Sequence, residues 1–263
     1  MPWGGFRAEN PPMLTELKRR LRAVWAEIAE AGIILGLVFI STTALAQPFY
    51  VPSGSMEPTL QIGDAMLGSK FPYGYSRYSL PYAFGPSAKE RLLGKLPRHG
   101  DVVVFRLPRD PKQTYVKRVI GLPGDRIQMV DGHLRINNQT MALKPAGTDD
   151  VEFGDGAKRK VERFTETLPG GVSHAIFKWR WDGALDNTQV FTVPAGHIFV
   201  MGDNRDDSLD SRVAPADGGV GFVPVENLMA RADMLIGSYD FLNMHGPASW
   251  PGLVRLQRFF KSI

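Results

Sequence analysis

Cysteine is absent from all 263 residues. Disulfides, thiolate metal sites and a cysteine nucleophile are therefore excluded together, and a chain without thiols tolerates either redox poise. Histidine is sparse. His99, His133, His174, His197 and His245 fall in no metal-ligand spacing and no catalytic box, and each reads as a surface or structural residue. Asp203, Asp207 and Asp210 faintly suggest a calcium loop, but Arg205 and Leu209 break the pattern. No metal and no cofactor is expected. The net charge is only +4 and no basic patch is interleaved with aromatics, so nucleic acid is not an expected partner. Neither a Gly-x-Ser-x-Gly elbow nor a Ser-x-x-Lys box surrounds any serine singled out below. Helix signals after residue 60 are scarce, no internal repeat is present, and long apolar runs are limited to one, residues 31–46.

What is present favours β structure. Hydrophobic content of 43% is ample for a core, and 28 glycines with 20 prolines imply many turns. Residues 1–12 are polar and proline-bearing, and 13–30 can be helical. The uncharged run 31–46 would cover about 24 Å as a helix, short of a ~30 Å hydrocarbon core. Extended to 25–49 it reaches the required length, with Trp25 and Tyr50 where interfacial aromatics prefer to be. Lys18, Arg19, Arg20 and Arg22 precede it, so the positive-inside rule puts the N-terminus in the cytoplasm and everything after residue 50 on the far side. A cleavable signal peptide ending at Ala44-Leu45-Ala46 is a rival reading of the same segment, and a buried core helix is a weaker one.

Beyond it the chain reads as short strands: 65–69, 101–107, 114–122, 126–130 and 133–136 around Asp131-Gly132, 163–167, 175–181, 189–193, 197–201, 222–224 and 228–236. Residues 144–163, charged and glycine-bearing, read as a loop. The stretch 70–87 carries Phe71, Tyr73, Tyr75, Tyr78, Tyr82 and Phe84 among Pro and Gly. It is a self-packed surface loop or a lipid-facing one. The tail 253–263 is weakly amphipathic, suited to a terminal helix packed on the domain or lying on lipid.

Three stretches carry chemistry. Pro52-Ser53-Gly54-Ser55-Met56-Glu57-Pro58 must turn and offers a hydroxyl nucleophile. Tyr115-Val116-Lys117-Arg118-Val119-Ile120 places Lys117 on one strand face with Tyr115 and Val119. An ordinary lysine, with a pKa near 10.4, is neutral at pH 7 in only about one copy in a few thousand. Desolvation lowers that value, so a lysine among apolar residues can serve a serine as base. The third stretch, Gly202-Asp203-Asn204-Arg205-Asp206-Asp207-Ser208-Leu209-Asp210-Ser211-Arg212, supplies a polar frame.

In their order, and behind an apolar segment, these stretches resemble the boxes of bacterial signal peptidase I, over about residues 30 to 237. The resemblance implies a membrane-anchored serine endopeptidase that removes signal peptides from preproteins after small residues, in an Ala-x-Ala pattern. It implies Ser55 as nucleophile, Lys117 as general base, and an oxyanion hole from the Ser55 N–H and the Ser53 hydroxyl. Ser208 would hydrogen-bond and orient Lys117. Asp203 would pair with Arg118, and Asp210 with Arg212. Phe49, Val51, Met56, Leu60, Val104, Tyr115 and Val116 would line shallow pockets for the substrate. Two departures stand out: many relatives carry two spans where this chain has one, and 214–219 looks like a loop insertion.

The expected architecture is mostly β: a cytoplasmic segment 1–24, a transmembrane anchor 25–49, an antiparallel catalytic core 50–127 with 196–240, an inserted β subdomain 128–195 and a tail 241–263. The expected location is the bacterial inner membrane, with preproteins and lipid as partners. Another Ser–Lys protease on a similar scaffold is the nearest rival, and an inactive anchored binding module the rival of a different class.

Overall fold

A computed structural model describes residues 12–79, 91–152, 158–240 and 253–263. The chain divides into two units, residues 1–42 and 43–263.

The first unit is helix α1, Pro12–Ile40. Glu16 meets Arg19 and Arg20 one turn on, at 3.0 and 3.1 Å, pairs that each add a few tenths of a kcal/mol to an exposed helix. The α geometry ends where Ser41 and Thr42 turn their hydroxyls back on the Val38 and Phe39 carbonyls, competing with the helical ladder. A π turn follows at Ser41–Leu45. Among the described residues no helix is long and apolar enough to cross a membrane. The expected span 25–49 is not one helix. Its last residues enter strand β1, Ala46–Tyr50, because the apolar and aromatic side chains there are taken up by a sheet.

The second unit continues with β2 (Asp64–Ser69), β3 (Val102–Leu107), β4 (Asp110–Gly121), β5 (Arg126–Val130), β6 (His133–Ile136), β7 (Gln139–Thr140) and β8 (Ala142–Glu152). Next come β9 (Lys158–Thr167), β10 (Ser173–Lys178), β11 (Phe191–Thr192), β12 (His197–Met201), β13 (Val223–Pro224) and β14 (Leu228–Ser238). A seven-stranded sheet runs β1-β2-β14-β3-β4-β12-β13, antiparallel throughout. Both faces of its centre are covered. On β3, Val102 and Val104 pack with Met56, Leu60, Met66 and Met229 on one face. Val103, Phe105 and Leu107 pack with Val119, Val200 and Leu228 on the other. Each such fully buried side chain contributes about 1.5–3 kcal/mol.

Two smaller antiparallel sheets, β11-β5-β6-β7 and β10-β9-β8, form the stretch inserted between β4 and β12. The β5–β6 turn has φ of 47° at Asp131 and 74° at Gly132, the left-handed pair that a tight hairpin requires. Ile127, Met129, Leu134 and Ile136 dock this sheet onto Ile120, Phe199 and Met201 of the main one. The region expected as a loop at 144–163 is largely the β8–β9 hairpin. Its registers set Asp150 opposite Lys160 and Glu152 opposite Lys158. Cross-strand charge pairs, not an apolar alternation, support it.

The tail 253–263 is not an α-helix. It holds one 3-10 turn, Leu256–Arg258, and is tied down by an Arg258–Asp64 ion pair at 2.5 Å. Residues 241–252 of the expected tail lie outside the described residues, as do Tyr82 and Phe84 of the aromatic stretch. Of the others, Tyr73 is buried, its hydroxyl donating to Asp101 Oδ2 at 2.9 Å, so it belongs to the core and not to a lipid-facing surface.

Candidate active site

The loop 51–63 carries the first motif and closes on itself through Val51 N–H to Asp64 O (2.9 Å) and Gly63 N–H to Val51 O (3.0 Å). A 3-10 turn, Gly54–Met56, lifts Ser55 out of it. Val51, Met56 and Leu60 point inward and are wholly buried. This corrects their expected place in the substrate pockets: they anchor the nucleophile loop from beneath, packed on Met66 and Val104.

Lys117 comes from β4, opposite Val103. Its Nζ donates to Ser55 Oγ at 2.6 Å and lies 3.2 Å from the Val116 carbonyl. Only 3% of the residue is exposed. Burial, the largest influence, lowers Lys117 from 10.5 to about 8, with Asp210, Asp203 and Asp207 opposing and Arg212 assisting. At pH 7 roughly one copy in ten is then the free amine, against one in a few thousand in water.

The nearby carboxylates are prevented from undoing this. Arg118 grips Asp203 in a fork (2.8 and 2.7 Å), and Arg212 grips Asp210 likewise (2.9 and 2.8 Å). Burial works against ionising both acids. The guanidinium beside each, helped by Thr59 at Asp203 and the Gly202 N–H at Asp210, outweighs burial and holds both below the ordinary carboxylate value. Bidentate pairs of this kind are the strong ones. The segment 214–219 folds on itself, with Gly219 N–H on Ala214 O, and leaves the Arg212 pair intact.

Ser53 Oγ stands 3.5 Å from Ser55 Oγ, exposed at the cleft. Ser208 lies on the cleft wall, but its hydroxyl is buried and has no hydrogen-bond partner among the described residues. The expected Ser208–Lys117 bond is therefore not formed. Ser208 sits here because Gly202 lacks a side chain: a Cβ at 202 would collide with Ser208 Oγ and the Ser55 carbonyl.

The cleft holds about 790 Å³. Phe49, Val104, Tyr115 and Val116, which the resemblance places against the substrate, border it together with Met66, Met229, Leu185 and Leu209, which sequence reasoning did not single out. Asn204 was missed as well. Its N–H donates to the Ser55 carbonyl and its Nδ2 to the Gly54 carbonyl, each at 3.2 Å, so the third motif holds the nucleophile turn directly. Behind it, Arg205 makes a buried two-pronged pair with Glu166 of β9. His174 lies between Glu166 (3.4 Å) and Asp203 (3.8 Å), lowered to about 4 by burial and hence neutral at pH 7. Neither Glu166 nor His174 stands in a motif, so no local signal could have found them.

A family model described as signal peptidase, peptidase S26, matches residues 24–236. Signal peptidase I of Rickettsia akari (strain Hartford) is 37% identical over 251 residues, 88% of this chain and 90% of the relative. That of Rickettsia canadensis (strain McKiel) is 39% identical over 251 residues, 88% of this chain and 91% of the relative. A solved signal peptidase I from Enterococcus faecalis V583 matches 52% of this chain and 97% of its own, at 27% identity and a TM-score of 0.30.

Proposed function

This chain belongs to the signal peptidases of peptidase family S26, serine endopeptidases that remove signal peptides from preproteins, and we propose that it does so with Ser55 as nucleophile and Lys117 as general base. The observation that carries this reading is the 2.6 Å contact between a reactive hydroxyl and a buried lysine lowered to about 8. Neutral Lys117 takes the Ser55 proton as Oγ attacks the scissile carbonyl. The oxyanion is received by the Ser55 N–H and the Ser53 hydroxyl, each supplying a few kcal/mol. The Lys117 ammonium then protonates the departing amine, and a water, activated by the same amine, hydrolyses the acyl-enzyme. Ser208 orients Lys117 in the complex with substrate.

Specificity for Ala-x-Ala follows from the walls. Phe49, Val104, Tyr115 and Val116 close on small side chains, while Val51, Met56 and Leu60 stiffen the floor. The enzyme is held at the bacterial inner membrane by its N-terminal segment, with the catalytic unit on the far side from the cytoplasm. Supporting this, Ile33, Leu35, Leu37 and Phe39 are all more than half exposed, and Lys18, Arg19, Arg20 and Arg22 precede them. The uncharged helix and its π turn cover roughly 22 Å, so the bilayer thins locally to accept them.

Purified full-length enzyme cleaves a model Ala-x-Ala preprotein, and Ser55→Ala or Lys117→Ala lowers kcat/KM by roughly 10⁴-fold or more. A Lys117→Ala enzyme within tenfold of wild type overturns the mechanism. Protease protection in inverted vesicles checks the orientation: digestion of the catalytic unit from the cytoplasmic side reverses it.

A further inference from the structure

Glu57 follows the nucleophile by two residues but does not border the cleft. It lines a separate polar groove, together with Gln61, Arg255 and Arg258. Its N–H closes the nucleophile turn on the Gly54 carbonyl at 3.0 Å. Its carboxyl packs against the back of Gly54, where an added Cβ would lie 3.3 Å from Glu57 Cδ. The middle of the turn is thus held from the front by Asn204 and backed from behind by the Glu57 side chain.

The far side of that carboxyl is the C-terminal segment. Arg258 donates to Thr59 O at 3.0 Å and pairs with Asp64. Arg255 donates to Gln61 Oε1 at 3.0 Å and to the Ile62 carbonyl. The segment is fastened to β14 by Arg255 N–H on Ser238 O, Phe260 N–H on Leu235 O and Ile263 N–H on Asp233 O. Two cations on a fixed strap therefore face the loop that carries the nucleophile. The other groups facing the carboxyl are Asp207, from the third motif, and the Ile62 N–H.

We propose that Glu57 is a positioning residue: its ionised carboxyl, drawn to Arg255 and Arg258 behind Gly54, keeps the Ser55 hydroxyl on Lys117, and its protonation releases that hold. The inference rests on the Ser55–Lys117 reading. Burial pushes the Glu57 carboxyl up to about 7, with Arg255 and Arg258 opposing and Asp207 assisting, so the hold is lost within the working range. A turn of three residues has few bonds of its own, and a 2.6 Å contact leaves little slack. Two protons must then leave an active enzyme, one from Lys117 near 8 and one from Glu57 near 7.

The test is the pH profile of kcat/KM for the full chain in detergent, using a peptide with no group titrating in the range. Wild type gives a log–log slope of about 1 between the two values and about 2 below the lower one. Glu57→Gln keeps a slope of about 1 throughout, with a maximum lowered at least about a hundredfold, the same loss that protonation of Glu57 brings to wild type. The variant also melts higher than wild type at pH 8. Its sign follows from linkage: a carboxyl raised from 4.5 to about 7 on folding costs nothing below 4.5 and its full amount above 7. A purely structural role gives a lower melting temperature and an unchanged slope. A wild-type slope of 1 below pH 7, or a slope of 2 surviving in Glu57→Gln, overturns the inference. Lys117→Ala separates the two failures: if it still cleaves, the Ser55–Lys117 reading is what falls.

Discussion

Lys117 and Lys178 lie in different regions, one on β4 of the main sheet and one at the end of β10 in the inserted stretch, and both are almost wholly buried. Lys178 Nζ sits 2.5 Å from Asp186 and 3.1 Å from Asp206, with the Trp181 ring at 5.0 Å. Lys117 Nζ meets a hydroxyl and a carbonyl, with the Tyr115 ring at 5.5 Å. The acids that could have reached Lys117, Asp203 and Asp210, are each held by an arginine. Burial is common to both lysines. The partner decides the outcome: carboxylates make a buried lysine a clamp, and their exclusion makes it a base.

Removing each charge should therefore act in opposite directions on stability. Lys178→Met leaves Asp186 and Asp206 buried without their cation and should cost about 3–5 kcal/mol, while the molecules that remain folded still cleave. Lys117→Met should abolish cleavage and stabilise the fold by on the order of 3 kcal/mol at pH 7. The sign is fixed by linkage: a lysine lowered from 10.5 to about 8 on folding carries its full penalty below 8 and none above 10.5. The stability gained should shrink as pH rises between those values. Urea denaturation at pH 7 and 9.5 measures both variants. Destabilisation by both would erase the distinction between clamp and base.

The same contrast marks what the sequence made legible. Lys117 shares a strand face with Tyr115 and Val119, and its partner serine lies in a turn dense with Pro and Gly; each alone reads as an ordinary surface lysine or turn, and the two became legible only as a pair, set beside the third motif. Lys178 draws its meaning from Asp186 and Asp206, and Glu166 from Arg205, 39 residues on. No periodicity reports such pairs. Val51, Met56 and Leu60 were placed in the pockets by resemblance, but apolar residues beside a nucleophile must also hold its loop down, and here that role takes them. Ala46–Tyr50 followed an apolar run and read as its continuation, although Pro48 is better suited to an edge strand, as β1 is. The end of β9, 163–167, read as a strand, but β8 and the start of β9 read as a loop because charged residues face one another there.

Ser208 sharpens the comparison from the cleft side. An amine that must stay free of carboxylates needs a neutral group to aim it, and a buried hydroxyl without a partner among the described residues stands on the cleft wall. Ser208→Ala should lower kcat by roughly 10²-fold, the scale of a positioned acid–base partner, with KM and thermal stability unchanged. A fall in melting temperature that matches the lost activity would make Ser208 a packing residue instead.

The smallest effect joins the two regions. The segment after Lys178 is fastened twice: Asp186 accepts from Lys178 and the Gly183 N–H, and Asp206 accepts from the Trp179 and Arg180 N–H groups. Between those fastenings Leu185 reaches the cleft, which Leu209 of the third motif also lines. Leu185 is only half-buried, so truncating it removes about 1 kcal/mol of apolar contact with a bound peptide. Leu185→Ala should raise KM about fivefold and leave kcat alone, because the reacting atoms are held by β4 and the loop 51–63. Lys178→Met loosens the same segment and should raise KM by a similar factor, with the double variant no worse than either single one. Additive effects would show that the clamp and the cleft wall act independently, and an unchanged KM in Lys178→Met would show that the lysine of the inserted stretch serves only stability.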